Sequence, residues 1–86
     1  MNRRERKNLV EDIEERLDND LDFDLEYEIE DYHSEDVSIV DVNITEDDDY
    51  PDDWDSQVED IFNDIADDWG GWYSWDGWCI SISIPD

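Results

Sequence analysis

The chain has 86 residues, of which 30 are Asp or Glu and five are Lys or Arg, so its net charge is −25. A chain of this length buries only about two thirds of its unfolded surface and supports a single core. Five Trp, four Tyr and two Phe argue against a disordered acidic tail, because such tails are poor in aromatic residues. We therefore predict one folded acidic domain over residues 1–86.

The charge is distributed unevenly along the chain. Positions 1–16 contain all the basic residues, which five acids balance, whereas positions 17–86 hold 25 acids and no Lys or Arg. The difference, 25 − 0, accounts for the whole net charge. Duplex DNA carries one charge per ~1.7 Å of axis, so this charge equals that of roughly 43 Å of duplex. Such a surface repels nucleic acid and anionic membranes and attracts strongly basic proteins.

Cysteine content and hydropathy indicate the compartment. Cys79 is the single cysteine and has no partner for an internal disulfide, which fits a reducing cytosol. The sequence shows no signal peptide and no apolar run near the ~20 residues that span a bilayer. We expect a soluble, cytoplasmic protein with no membrane partner.

Residues 3–18 have the pattern of an amphipathic helix. Asn2 and Glu5 are spaced as a capping box. The apolar positions recur with helical spacing and are Leu9, Val10, Ile13 and Leu17. We interpret the basic cluster at the start of this helix as counter-charge for the acidic body or as a solubilising end, because four basic residues beside 25 acids cannot hold DNA.

The following stretch, 20–30, alternates strictly between acidic and apolar residues. This period of two predicts a strand with one apolar face and one face of six carboxylates. The apolar residues are Leu21, Phe23, Leu25, Tyr27 and Ile29, and the acids are Asp20, Asp22, Asp24, Glu26, Glu28 and Glu30. An ordinary solvent face mixes in Thr, Lys or Arg to relieve repulsion, so the charge itself is the expected purpose of this strand.

Residues 31–36 have turn composition, and Val37–Thr45 is the predicted partner strand. The parity of its apolar residues changes near Ile39 and Val40, which predicts a bulge there. His33 is expected to be a solvated turn residue, because its neighbours lack the spacing of metal ligands.

Residues 46–55 carry seven acids around Tyr50, Pro51 and Trp54. One interpretation is a disordered, solvated linker. The other is a second carboxylate cluster that continues the acidic strand, with Trp54 as an exposed anchor. Trp54 is equally well placed to be buried against the next helix, so the sequence leaves these alternatives open.

A second helix is predicted to begin at a capping box of Ser56 and Glu59 and to end at Gly70 or Gly71. Its apolar stripe contains Val58, Ile61, Phe62, Ile65 and Trp69. Four acids point away from that stripe and are Asp60, Asp64, Asp67 and Asp68. Acids are therefore expected on a helix as well as on a strand and a loop.

The last segment predicts a hairpin whose two-residue turn is Asp76–Gly77, with Trp75 opposite Trp78. This pairing puts Tyr73, Trp75, Trp78, Ile80, Ile82 and Ile84 on one face. The predicted fold is α+β with the order αββαββ: a four-stranded antiparallel sheet with both helices on its apolar face. The other face stays open and carries the acids, as antiparallel sheets allow.

The residues needed for catalysis are not grouped in this sequence. It contains no Cys/His, Ser/His or Ser/Lys constellation and no glycine-rich phosphate loop, so we predict that the protein is not an enzyme. Asp18 to Asp22 begins like a calcium-binding EF-hand loop, but Phe23 stands at the glycine position and Ile29 at the glutamate position. We expect no cofactor and no specific metal site.

In size, acidity and aromatic content, residues 17–86 resemble small DNA-mimic inhibitors encoded by phages, such as anti-CRISPR, anti-restriction and uracil-DNA glycosylase inhibitor proteins. The resemblance is one of composition, since those proteins share no motif. It implies a viral protein in the host cytosol that occupies the DNA-binding site of a host defence nuclease. Two alternatives are an acidic chaperone or interaction module for basic protein tails, and a small domain adapted to high salt.

The expected partner is a basic nucleic-acid-binding host protein, with no direct binding to nucleic acid and with either a monomer or a homodimer as the active form. Carboxylates suit this role because they accept bidentate Arg pairs much as phosphates do. The predicted contact residues are Asp20, Asp22, Asp24, Glu26, Glu28, Glu30, Asp47, Asp48, Asp49, Asp52, Asp53, Trp54, Asp60, Asp64, Asp67 and Asp68.

The charge predicts a stability that depends on salt. Net charge far from zero destabilises a compact state, and salt screens it with a Debye length of ~10 Å at 0.1 M. The melting temperature should therefore rise between about 10 mM and 500 mM NaCl. A flat response in thermal melts followed by circular dichroism would contradict this, and unfolding below about 1 M NaCl would favour the high-salt adaptation.

Overall fold

The αββαββ order predicted from the sequence is confirmed. A computed structural model describes residues 2–85. Its elements are α1 (Arg3–Asn19), β1 (Tyr27–Ser34), β2 (Val37–Ile44), α2 (Trp54–Trp69), β3 (Trp72–Asp76) and β4 (Cys79–Pro85). The strands form one antiparallel sheet in the order β1-β2-β4-β3.

The core lies between one face of the sheet and the two helices. The central strands β2 and β4 contribute alternate residues, and each helix contributes its apolar stripe. The buried residues are Leu9, Ile13, Leu17, Val40, Val42, Ile44, Val58, Ile61, Phe62, Ile65, Ala66, Ile80, Ile82 and Ile84. No element within residues 2–85 covers the opposite face of the sheet, and we call it the open face.

Helix α1 begins as predicted and carries cations that contact the acidic body. The Asn2 side chain accepts a hydrogen bond from the Glu5 amide at 2.9 Å. Arg6 pairs with Asp31 of β1 at 2.8 Å, and Arg16 pairs with Asp68 of α2 at 2.6 Å. Arg6 of the basic cluster therefore serves as counter-charge, one of the two roles predicted for that cluster, and Arg16 outside the cluster does so as well. Exposed pairs contribute only about 0–1 kcal/mol each, so they orient α1 while the core holds it.

Helix α2 begins at Trp54, two residues before the predicted Ser56 cap, with Asp53 as its N-cap. The predicted capping box is therefore wrong. The earlier start follows from packing, because the first helical residue is an indole that stacks on Trp78 of the last hairpin at 4.8 Å between ring centroids. The helix ends as predicted at Gly70, whose φ of 72° is left-handed.

Strand β1 begins at Tyr27, not at Asp20 as predicted, and the chain bends at Asp22 and Phe23. At its other end the strand runs on to Ser34, so His33 lies in β1 and not in a turn. The turn consists of residues 35 and 36 alone. The alternation of burial nevertheless holds over the whole of 20–30, with every acid exposed and every apolar residue half-buried.

Strand β2 has no bulge, contrary to the prediction from its sequence. Its pairing with β1 is continuous from Tyr27 opposite Ile44 to Ser34 opposite Val37, and its pairing with β4 is also continuous. A bulge would disrupt both ladders of this central strand. The change of parity is accommodated instead by burying Ser38 completely and leaving Val37 and Ile39 on the open face.

The β3–β4 hairpin has the predicted faces but a different register. Trp75 lies opposite Ile80, and Asp76 opposite Cys79, so residues 77 and 78 form the turn. The residue opposite Trp75 lies two positions further along the chain than predicted, so every side chain of the two strands keeps its predicted face. Trp78 lies in the turn instead of in a strand. Gly77 has a φ of 60°, the left-handed conformation that such turns require of a glycine.

The buried Ser38 generates a prediction about stability. Its hydroxyl is fully buried and has no hydrogen-bond partner within residues 2–85, and a buried unsatisfied hydroxyl costs about 1–3 kcal/mol. Ser38→Ala should therefore raise the free energy of unfolding by about 1 kcal/mol and the melting temperature by about 4–8 °C. Ser81→Ala is the control, because the Ser81 hydroxyl donates to Asp41 at 2.5 Å, and this change should lower stability. Loss of stability in Ser38→Ala would contradict the assignment.

Candidate functional site

The acidic side chains that the sequence singled out fall on several surfaces of the fold. We call the six alternating carboxylates of 20–30 the acidic ladder: Asp20, Asp22, Asp24, Glu26, Glu28 and Glu30. All six are exposed. Only Glu28 and Glu30 belong to β1, where they lie on the open face, and the other four belong to the segment between α1 and β1. The expectation of one straight strand of six carboxylates is therefore wrong.

The hydroxyl of Tyr50 interrupts the backbone hydrogen bonds between β1 and β2 at the start of β1. In the β1–β2 register Glu26 and Thr45 are the next pair, and the Thr45 amide donates to the Glu26 carbonyl at 2.9 Å. The reciprocal bond is replaced by Tyr50, which accepts from the Glu26 amide at 3.1 Å and donates to the Thr45 carbonyl at 2.8 Å. This insertion explains why β1 begins at Tyr27, and it fixes the 46–53 loop beside the acidic ladder.

A chain of aromatic rings extends this connection. Tyr50 lies 5.4 Å from Phe23 of the ladder segment and 5.8 Å from Trp54 of α2, measured between ring centroids. Trp54 in turn stacks on Trp78 and meets Trp75 edge-on at 6.0 Å. Such pairs contribute about 0.5–1.5 kcal/mol beyond their buried area. Trp54 is thus a half-buried packing residue, and the interpretation of it as an exposed anchor is wrong.

The 46–53 loop is ordered and its Tyr50 contacts the ladder segment, so the interpretation as a disordered linker is wrong, although most of its acids are exposed to solvent. The Asp47 side chain accepts from the Asp49 amide at 2.9 Å, which makes a local turn. Residues Glu46, Asp47, Asp48 and Asp49 line a shallow depression of about 560 Å³. Asp52 and Asp53 follow it and are exposed. The ladder segment and this loop therefore form one acidic edge of the molecule.

The acids of α2 lie elsewhere. Asp60, Asp64, Asp67 and Asp68 are exposed on the outer side of the helix layer, which faces away from the sheet and its open face. Asp68 is already paired with Arg16. The structure therefore separates these four residues from the open-face members of the ladder, although the sequence grouped them as one contact surface.

Two acids of the open face were missed in the sequence. Asp41 of β2 lies directly opposite Glu30, and Asp76 of β3 lies opposite Cys79 of β4. Like charges directly across a strand pair are destabilising, and Asp41 is held there by the hydroxyl of Ser81. The sequence could have identified Asp41. In a strand without a bulge, Asp41 lies on the same face as Ile39 and Val37, because an even number of residues separates them.

Two side chains on the open face have raised pKa values, which result from burial and from nearby carboxylates. Burial raises the pKa of the Cys79 thiol, and the carboxylates of Asp41, Asp76 and Glu30 raise it further against the lowering effect of a hydrogen bond with Ser81. The thiol is therefore protonated at neutral pH. Burial and the neighbouring Asp41 also raise the pKa of the Tyr32 phenol.

The dimensions of the molecule set its charge per unit length. The Cα atoms extend over 37 × 21 × 17 Å. A duplex 37 Å long carries about 22 charges at one charge per ~1.7 Å, against a net −25 for this chain. The protein therefore has about the same charge per unit length as DNA.

Other kinds of site have no support in the described part of the chain. Among residues 2–85, no three or more His, Cys, Asp or Glu side chains are grouped as metal ligands. None of the helices within that range is long and apolar enough to cross a membrane. No protein-family model matches the sequence, and a search of curated proteins finds no match either. The functional argument therefore depends on the geometry of this chain.

The role of Tyr50 predicts the effect of removing its hydroxyl. Tyr50→Phe keeps the ring contacts but loses the bridge between Glu26 and Thr45. We expect the free energy of unfolding to fall by about 1 kcal/mol, and the Glu26 amide to exchange its hydrogen faster in NMR measurements. Tyr73→Phe is the matched control, since the Tyr73 hydroxyl donates to the exposed Glu59 carboxylate and interacts with the Asn63 side chain, whereas the Tyr50 hydroxyl bridges two backbone groups. Equal effects of the two substitutions would contradict the role assigned to Tyr50.

Proposed function

We propose that this protein is a DNA mimic that inhibits a basic, nucleic-acid-binding host protein by occupying its DNA-binding site in the host cytosol. The target class we propose is a defence nuclease of the CRISPR or restriction type. The observation that carries the proposal is the charge, a net −25 on a molecule 37 Å long. A groove lined with Lys and Arg for phosphate binding attracts such a molecule as it attracts duplex DNA.

The acidic edge supports the proposal because it offers carboxylates from two segments of the chain. Alternate residues of an extended chain are ~6.7 Å apart, whereas each DNA strand has a phosphate every ~3.4 Å of axis. A single ladder is too sparse to imitate a strand. The contacts of Tyr50 with Glu26 and Phe23 attach the 46–53 loop, with its further carboxylates, to the ladder segment.

The expected binding energy is distributed over many weak contacts. An exposed ion pair contributes about 0–1 kcal/mol, so no single substitution of an acid by Ala should abolish binding. Binding should instead weaken steeply as salt rises, because salt screens exposed charges.

A pair of triple variants tests the proposal and its contact surface. Asp22→Lys, Asp24→Lys and Glu26→Lys together reverse the ladder next to the loop, where all three side chains are exposed. The control is Asp60→Lys, Asp64→Lys and Asp67→Lys, which changes the net charge equally on the outer side of α2. The ladder variant should bind its target about 100-fold more weakly than the wild type, or about 2.8 kcal/mol, and the α2 variant should lose much less.

The target is obtained by capture from a host lysate at low salt, identified by mass spectrometry and then challenged with duplex DNA. Captured nucleic-acid-binding proteins that excess DNA displaces support the proposal. Captured proteins of other classes, or no displacement by DNA, would overturn it and favour the module for basic protein tails. Equal losses in the two triple variants would show that net charge decides binding and that the acidic edge is not the contact surface.

A further inference from the structure

A small cavity lies between the first turns of α2 and the β3–β4 hairpin. Its volume is about 280 Å³, and its lining residues are Trp54, Asp55, Glu59, Trp75 and Gly77. Sites for small-molecule ligands usually measure ~300–1,000 Å³, so this cavity has the size for one long side chain. We call it the tryptophan pocket. Its lining combines two indole rings with two exposed acids and includes no basic residue.

The two carboxylates of the pocket stand on the same side of α2. Asp55 and Glu59 are four residues apart, so one helical turn separates them and their Cβ atoms are ~5–6 Å apart. The Tyr73 hydroxyl donates to the Glu59 carboxylate at 3.2 Å and links it to strand β3. No Lys or Arg within residues 2–85 forms an ion pair with either acid. Like charges at this spacing destabilise a helix, and a cation bound between them would relieve the repulsion.

The dipole of α2 opposes a cation at this end of the helix, but the acids outweigh it. The N-terminus of a helix carries the equivalent of about +0.5 charge, whereas the pocket alone presents two carboxylates. Asp53, the N-cap residue of α2, adds a third negative charge beside them. The net potential at the pocket is therefore negative, and the pocket favours a cation over an anion.

The two indoles form an apolar wall that the packing of the fold holds in place. Trp54 stacks on Trp78 at 4.8 Å between ring centroids, and Trp75 meets Trp54 edge-on at 6.0 Å. Trp54 and Trp75 are both half-buried, so part of each remains accessible. Among aromatic side chains Trp attracts cations best, and its partner is more often Arg than Lys. The aliphatic stem of a long basic side chain also packs well on apolar surface while its charged end contacts polar groups.

The pocket adjoins the acidic edge. Trp54 lies 5.8 Å from Tyr50 between ring centroids, and Tyr50 attaches the 46–53 loop to the ladder segment at Glu26. Asp52 and Asp53 of that loop directly precede Trp54 in the chain. A basic partner bound to the acidic edge therefore has the tryptophan pocket beside it.

We propose that the tryptophan pocket binds one arginine side chain of the basic partner. The guanidinium lies at the carboxylates of Asp55 and Glu59, and the aliphatic stem packs on Trp54 and Trp75. Arginine fits better than lysine, because the guanidinium is weakly hydrated, stacks on aromatic rings and forms forked hydrogen bonds with carboxylates. The inference rests on the proposed function, in which this arginine is one that otherwise binds a DNA phosphate.

NMR titrations of the purified protein with amino-acid derivatives test the pocket. The probes are the N-acetyl amides of arginine, of lysine, which has the same charge, and of citrulline, an uncharged molecule of the same shape as arginine. At about 150 mM NaCl the arginine probe should bind with a Kd on the order of 1 mM, about fivefold more tightly than the lysine probe. The citrulline probe should not bind. The indole N–H resonances of Trp54 and Trp75 should shift, whereas those of Trp69 and Trp72 should not.

Two double variants with the same change in net charge test the role of the acids. Asp55→Asn with Glu59→Gln neutralises the pocket and keeps both indoles and the hydrogen-bond acceptor of Tyr73. Asp64→Asn with Asp67→Asn removes two exposed charges further along α2. The first variant should weaken binding of the arginine probe, and of a target captured from the lysate, about tenfold. The second should weaken either by less than about twofold.

The outcomes separate this inference from the proposed function. Equal affinities for the arginine and lysine probes, equal shifts of all the indole resonances, or equal effects of the two double variants would overturn the pocket. The DNA mimic would then still stand on its acidic edge. Localised binding of the arginine probe, with no DNA-displaceable target in the lysate, would support the pocket as an arginine site and overturn the mimic.

Discussion

The fold depends on burying one face of the β2–β4 pair beneath two helices, because the charges of residues 17–86 are all negative and repel one another. The cations are confined to the first 16 residues, and the ion pairs of Arg6 and Arg16 are their contacts with the acidic body. Cohesion elsewhere comes from apolar burial. The largest fully buried side chains are Phe62 and Ile65 of α2, Leu9, Ile13 and Leu17 of α1, and Ile80 and Ile82 of β4. Each element therefore gives one face to the core and leaves its acids to solvent.

The acidic edge and the open face meet within the acidic ladder. Asp22, Asp24 and Glu26 lie on the acidic edge, and Glu28 and Glu30 continue the same ladder onto the open face. The Tyr50 hydroxyl connects the two surfaces, because it takes the place of one backbone hydrogen bond between Glu26 and Thr45. The segment before Tyr27 therefore leaves the sheet but stays bound to Thr45. A basic partner that follows the ladder would pass from the acidic edge onto the open face without leaving the carboxylates.

Local sequence determined the elements and their faces, because side-chain periodicity and caps act within a few residues. It placed the Asn2 cap, the Gly70 terminus, the apolar stripes and the inward face of β3 and β4 correctly. Tertiary structure decided what depends on distant partners. Tyr50 set the start of β1, the two-sided pairing of β2 buried Ser38 in place of a bulge, and the stacking of Trp54 on Trp78 accompanies the shifted hairpin register. Tertiary structure also decided that Tyr32 of β1 and Trp72 of β3 lie in one row across the sheet, because strands β2 and β4 separate the two residues. No local pattern encodes which residues of nonadjacent strands share a row, since that follows from pairing across the whole sheet.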